Sequence, residues 1–211
     1  MMLRTRPPDS PAVAVADTSV VINIIASKYA AEIIAAFPHR VVIINAAADE
    51  LVGGRSKGRD DADILDKLIA AGLIEVVSLG EVGLAHFESL VVGSASETLD
   101  DGEAATLAHA VEIGAVAIID ERKANRISGA RFPGLAMRCS LDVFANAAVQ
   151  QALCQQRLAE AVFNALRGAR MRVPLQHRQW VVDLIGTERA AVCSSLPDSV
   201  RTTLLMRQAD E

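Results

Sequence analysis

The chain has 211 residues, 51% hydrophobic and 3% aromatic, with a formal net charge of −5 at pH 7. That length suits one compact domain, or a domain of about 140 residues with a helical appendage, around a core of Ala, Val, Ile and Leu. A net acidic protein does not attract nucleic acid through its overall field, three cysteines without a CxxC pair exclude a disulfide frame, and no apolar run of about 18 residues is present to span a membrane.

Residues 1–11, with Arg4, Arg6, Pro7 and Pro8, read as a loose leader. Ala12-Val13-Ala14-Val15-Ala16 is a run of small and β-branched residues, which suits a strand covered on both faces in a parallel sheet. Asp17 then falls at the strand's carboxyl end, where open α/β sheets place their ligands. Asp17-Thr18-Ser19 is equally a good helix N-cap. Val20–Phe37 reads as one helix stopped by Pro38. Val41–Ile44 is a second buried strand, and Ala46–Val52 a short helix carrying Asp49 and Glu50 towards Gly53-Gly54. The basic loop 53–59 (GGRSKGR) lacks the spacing of a phosphate loop.

Asp60–Ala71 has the apolar spacing of a helix, Leu73–Leu79 of a strand and Glu81–Val92 of another helix. The clearest helix is Leu99–Ile113, with Ala104, Leu107, Ala108 and Val111 on one stripe and Asp100 and Glu103 at the offset of a capping box. Ala115–Ile119 is a buried strand ending at Asp120. Glu121–Ser128 opens a helix bearing Arg122, Lys123 and Arg126. Leu135–Cys139 completes the strands, and Ser140–Gln156 is a helix. From Arg157 the texture turns basic, and further helices are expected over 156–166, 175–185 and 199–206. The four histidines show no partner spacing and read as structural. Trp180, Val181, Leu184 and Ile185 form an apolar stripe for core or dimer packing.

Alternating strands and helices imply parallel crossovers. The expected fold is therefore α/β: a three-layer α/β/α sandwich with a central, mainly parallel sheet over 12–155, followed by a C-terminal helical extension over 156–211. Strand carboxyl ends and the helix starts after them share one edge of such a sheet. Asp17, Asp120 and Glu50 can meet there; periodicity alone does not place Glu103. Clustered carboxylates repel one another without a cation. All-oxygen ligands favour Mg²⁺ or Mn²⁺ over zinc, and such an ion suits phosphoryl chemistry. Taken singly, each acid is better explained as a cap, a favourable charge at a helix start or a solvated face.

Four pieces in order, VAVADTS from Val13, then Asp49-Glu50-Leu51, then DGEAATLA from Asp101, then Ala117-Ile118-Ile119-Asp120-Glu121-Arg122, resemble the PIN domain, the nuclease fold of the PilT N-terminus. The resemblance covers residues 12–150 and implies a metal-dependent ribonuclease acting on single-stranded RNA, with toxins of bacterial toxin–antitoxin pairs as a well-known branch. Carried over, Asp17, Glu50, Glu103 and Asp120 would be the catalytic and metal-holding acids, with Mg²⁺ or Mn²⁺ as cofactor. Thr18 or Ser19 would orient Asp17 or a metal water. Glu121 stands where the toxins often carry Asp. Arg122 and Arg126 are candidates to hold RNA phosphates, or form a solvated helix face. Partners implied are single-stranded RNA, an antitoxin protein and a second copy of the chain, in the cytoplasm. Two rivals stay open: a PIN-like binding module with a weakened metal site, and a phosphatase or phosphoacceptor domain. Against the second, Thr18 and Ser19 follow Asp17 where those folds want a second Asp.

Overall fold

The computed structural model describes residues 12–46, 48 and 61–201. Five strands form one all-parallel sheet in the order β3-β2-β1-β4-β5. They are β1 (Ala12–Ala16), β2 (His39–Ile44), β3 (Ile74–Val77), β4 (Val116–Ile118) and β5 (Met137–Arg138). The central strands are apolar at nearly every position because both faces are covered. Their side chains alternate between two cores. Ala14, Ala16, Val41, Ile43 and Ile118 enter one, and Val15, Val42, Ile44, Ala117 and Ile119 enter the other.

The second core is covered by α4 (Glu81–Val91), α5 (Asp101–Ile113) and α6 (Arg122–Arg131). The first is covered by α1 (Thr18–Ala26), α2 (Ala30–Ala36), α3 (Asp61–Ala70), α7 (Ser140–Phe144), α8 (Ala147–Gly168), α9 (Arg178–Ile185) and α10 (Thr187–Ala191). The expected three-layer α/β/α sandwich is thus present. The expected division between residues 155 and 156 falls inside α8. Leu158, Val162, Leu166, Val181, Ile185 and Leu196, all after it, are buried in the same core as β1 and α1.

Three helices differ from their sequence expectation. Residues 20–37 form two helices bent by 117°. Ser27 caps the first, its hydroxyl donating to the Ile24 carbonyl at 2.5 Å and accepting from the Tyr29 N–H at 3.1 Å. Lys28 takes a left-handed conformation (φ 70°), which turns the chain. A local hydroxyl bond of this kind competes with continued helix, and apolar periodicity does not register it. Residues 140–156 are likewise broken, because Asn146 caps α8, its side chain accepting from the Ala148 N–H at 3.0 Å. The helix expected over 156–166 is the second half of α8, which bends at Cys154 (φ 53°). No single helix among the described residues is long and apolar enough to cross a membrane.

Strands β2 and β3 follow β1 to one side of the sheet, whereas β4 and β5 lie on its other side. The order therefore reverses between β1 and β4, and a crevice opens outside the carboxyl ends of those two strands. Ala16 is in register with Ile118 there. Asp17 and Asp120 stand immediately beyond the two tips.

Candidate active site

Asp17, Glu103 and Asp120 line one cavity of about 370 Å³ at this reversal point, together with Asp100, Glu121, Thr18, Ser19 and Asn23. Asp17, Glu103 and Asp120 are buried, at 6%, 9% and 6% exposure, among the few charged side chains so enclosed. Glu50 lies outside the described residues.

Each acid is held by its own local logic. Asp17 leaves β1 with its backbone N–H bonded to the Ile118 carbonyl at 3.1 Å. Its carboxylate Oδ2 then caps α1, accepting from the Ser19 hydroxyl at 2.6 Å and the Ser19 N–H at 3.2 Å. Cap and site residue are thus one group. Asp120 is gripped from two other elements. Oδ2 accepts from the Asn23 amide at 2.8 Å and the Ser140 hydroxyl at 2.6 Å, and Oδ1 from the Ser140 N–H at 2.8 Å. Asn23 also donates to the Ser140 oxygen at 3.0 Å. Glu103 enters at the third residue of α5, where Asp100 caps the helix by accepting from the Glu103 N–H at 3.0 Å. Gly114, left-handed at φ 64°, closes that helix and returns the chain to β4.

Burial disfavours the charged form of all three acids. It raises the Asp17 carboxyl above its ordinary value, against the lowering bonds from Ser19. It raises Asp120 too, against Ser140, Arg172 and Asn23. Glu103 is pushed up to about 7, first by burial and then by repulsion from Asp100, Asp17 and Glu121. The cavity thus stores a negative potential that a cation would relieve.

The donor set fits a hard divalent ion: carboxylate oxygens, hydroxyls and an amide, with neither Cys nor His lining the cavity. No three described acids of the cavity bring their ligand atoms within 4.8 Å of one another. That suits Mg²⁺, which keeps several waters and is bound through one or two carboxylates. Among the described residues, one group brings three candidate ligand atoms within 4.8 Å of one another, and it lies elsewhere: Cys139, Asp142 and His177. Helix capping accounts for part of that group. Asp142 accepts from the Cys139 N–H at 2.8 Å and pairs with His177 Nε2 at 3.0 Å. Burial, with Asp142 beside it, pushes the Cys139 thiol up to about 12.

The other expected residues divide. Ser19 orients Asp17, and Thr18 lines the cavity. Glu121 lines the cavity and caps α6, accepting from the Lys123 N–H at 3.4 Å. Arg126 is directed elsewhere. Its guanidinium donates to the Ser96 carbonyl at 2.6 Å, tying α6 to the 92–100 connection, and it does not line the acidic cavity. Four contributors escaped sequence reasoning: Asn23, Ser140, Arg170 and Arg172. Asn23 had a readable signal, as the one polar residue between Val20 and Ile25. Arg172 donates to the Asp120 carbonyl oxygen from a segment whose sequence says nothing of where it folds.

Buried carboxylates at the reversal point of a parallel sheet mark the protein as an α/β fold with an acidic crevice. The DUF3368 family model, a PIN domain, matches residues 13–187, and the chain belongs to the PIN domain family. PIN domains are generally nucleases that work with a divalent metal such as Mg²⁺. No characterised protein and no solved structure matches the chain.

Proposed function

We propose that the protein is an Mg²⁺- or Mn²⁺-dependent endoribonuclease that cleaves single-stranded RNA. One observation carries this reading: three buried carboxylates from separate parts of the chain line a single cavity at the sheet's reversal point. Asp17, Glu103 and Asp120 would hold the ion, directly or through water. Bound there, it would neutralise phosphate charge and lower the pKa of a coordinated water. The chain's own residues supply orientation. Ser19 fixes Asp17, and Asn23 with Ser140 fixes Asp120, so neither carboxylate has to reorganise when substrate arrives. Where Glu103 holds the ion through water, its carboxylate oxygen would accept the proton of the attacking water. In-line attack on the scissile phosphate then expels the 3′ oxygen. A toxin role, with a small antitoxin as protein partner, fits the same site, and the neighbouring reading frame tests it.

Purified protein with Mn²⁺ is expected to cut end-labelled single-stranded RNA, and Asp17→Ala to remove that cleavage. Equal cleavage by both would refute the assignment. No cleavage and no thermal shift in millimolar Mn²⁺ would favour a binding module.

A further inference from the structure

The cavity beside the acidic one carries the opposite charge. Arg122, Arg138 and Arg172 line it, from the start of α6, from β5 and from the segment after α8. Arg172 belongs to the walls of both cavities, so the two adjoin across its side chain. The second measures about 280 Å³, below the usual range for pockets that bury drug-sized ligands.

None of these arginines forms an ion pair among the described residues. Arg172 is fixed through Nη1, which donates to the Asp120 carbonyl. Its Nε is buried and has no hydrogen-bond partner. A buried donor without an acceptor is costly, more so on a charged group. In a planar guanidinium, Nε and Nη2 form the edge that grips two oxygens of one anion. Asp142 is the acid on this wall. Both its oxygens are already engaged, by the Cys139 N–H and by His177. Three cations around the space also disfavour a metal ion there.

We propose that this basic cavity seats a backbone phosphate of the single-stranded substrate, next to the scissile phosphate held over the acids. The strand then crosses the Arg172 side chain from one cavity to the other. This rests on the nuclease reading and adds to it a subsite that grips phosphodiester and reads no base.

The test is equilibrium binding of a short labelled single-stranded RNA to the full chain in EDTA, followed by anisotropy over a range of NaCl. Arg138→Ala, at an exposed position, is expected to weaken binding about tenfold and to reduce the slope of log Kd against log [NaCl] by about 0.7. Arg138→Lys should restore the slope, because it keeps the charge. Arg172→Lys should keep the slope yet lose affinity, because it keeps the charge and loses the fork. Arg40→Ala is the control. That residue lies at the strands' other end and pairs with Glu75 at 3.0 Å. Should Arg138→Ala match Arg40→Ala, or wild-type protein bind no RNA, the subsite is overturned. Should Arg138→Ala bind weakly while wild-type protein with Mn²⁺ cuts nothing, the subsite stands and the nuclease reading fails.

Discussion

The two edges of the sheet hold cavities of the same size, about 370 Å³ each, with opposite chemistry. At the strands' amino ends the lining is Ala110, Val111, Gly114, Val116, Phe132 and Leu135, with no ionisable side chain. At the carboxyl ends it is acids, hydroxyls and arginines. Volume is therefore a poor guide to the site. What separates the edges is chain direction. All five strands point the same way, so the residues that follow them, and the N-terminal first turns of the next helices, collect at one edge only. Helix starts also bring positive dipole ends towards the acids.

The largest effect expected from this asymmetry is on cleavage. Asp120→Asn should lower kcat/KM by more than about 100-fold, since losing only a supporting partner of a metal ligand costs about 10- to 100-fold. Single-turnover assays in Mn²⁺ check this, and a loss under tenfold would move the chemistry away from Asp120. Next comes Asn23→Ala, expected to cost about tenfold in activity, with Mn²⁺ affinity falling in parallel, because Asp120 then loses one of its side-chain donors.

Smaller is a pH-dependent change in stability. Glu103 titrates at about 7 in the folded chain against an ordinary 4.5, so its ionisation opposes folding. The cost is absent below pH 4.5, grows as pH rises from 4.5 to 7 and is complete above 7, because in that window the folded state holds the extra proton. Glu103→Gln should therefore stabilise the metal-free chain at pH 8 by about 1–2 kcal/mol after allowance for solvent screening, and not at pH 4.5. Urea titrations at the two values test the sign. The smallest effect belongs to the other edge. Leu135→Ala, in the apolar cavity, should cost about 1 kcal/mol of stability and change kcat/KM by less than about twofold. A large catalytic loss there would erase the contrast between the edges.

Much of this was legible in the chain itself. The apolar runs at 12–16, 41–44 and 115–119 announce parallel strands, and an acid directly after two of them announces the edge where they end. Glu103 was harder. It sits on a helix, and only the three-dimensional packing of α5 brings its first turn to that edge. Asn23, Ser140 and Arg172 were illegible as a set, because their meaning lies in contacts with Asp120 from residues 97, 20 and 52 positions away. The break at Ser27-Lys28 was missed for a related reason: a single hydroxyl bond outweighed an apolar pattern that ran on unchanged.

Residues 169–172 close one side of the acidic cavity, although every described acid of that cavity has been made by residue 121. During synthesis, the carboxylates leave the ribosome well before the segment that shapes the space around them. A growing chain thus carries an unfinished pocket until residues 169–172 have emerged and Arg172 has reached the Asp120 carbonyl.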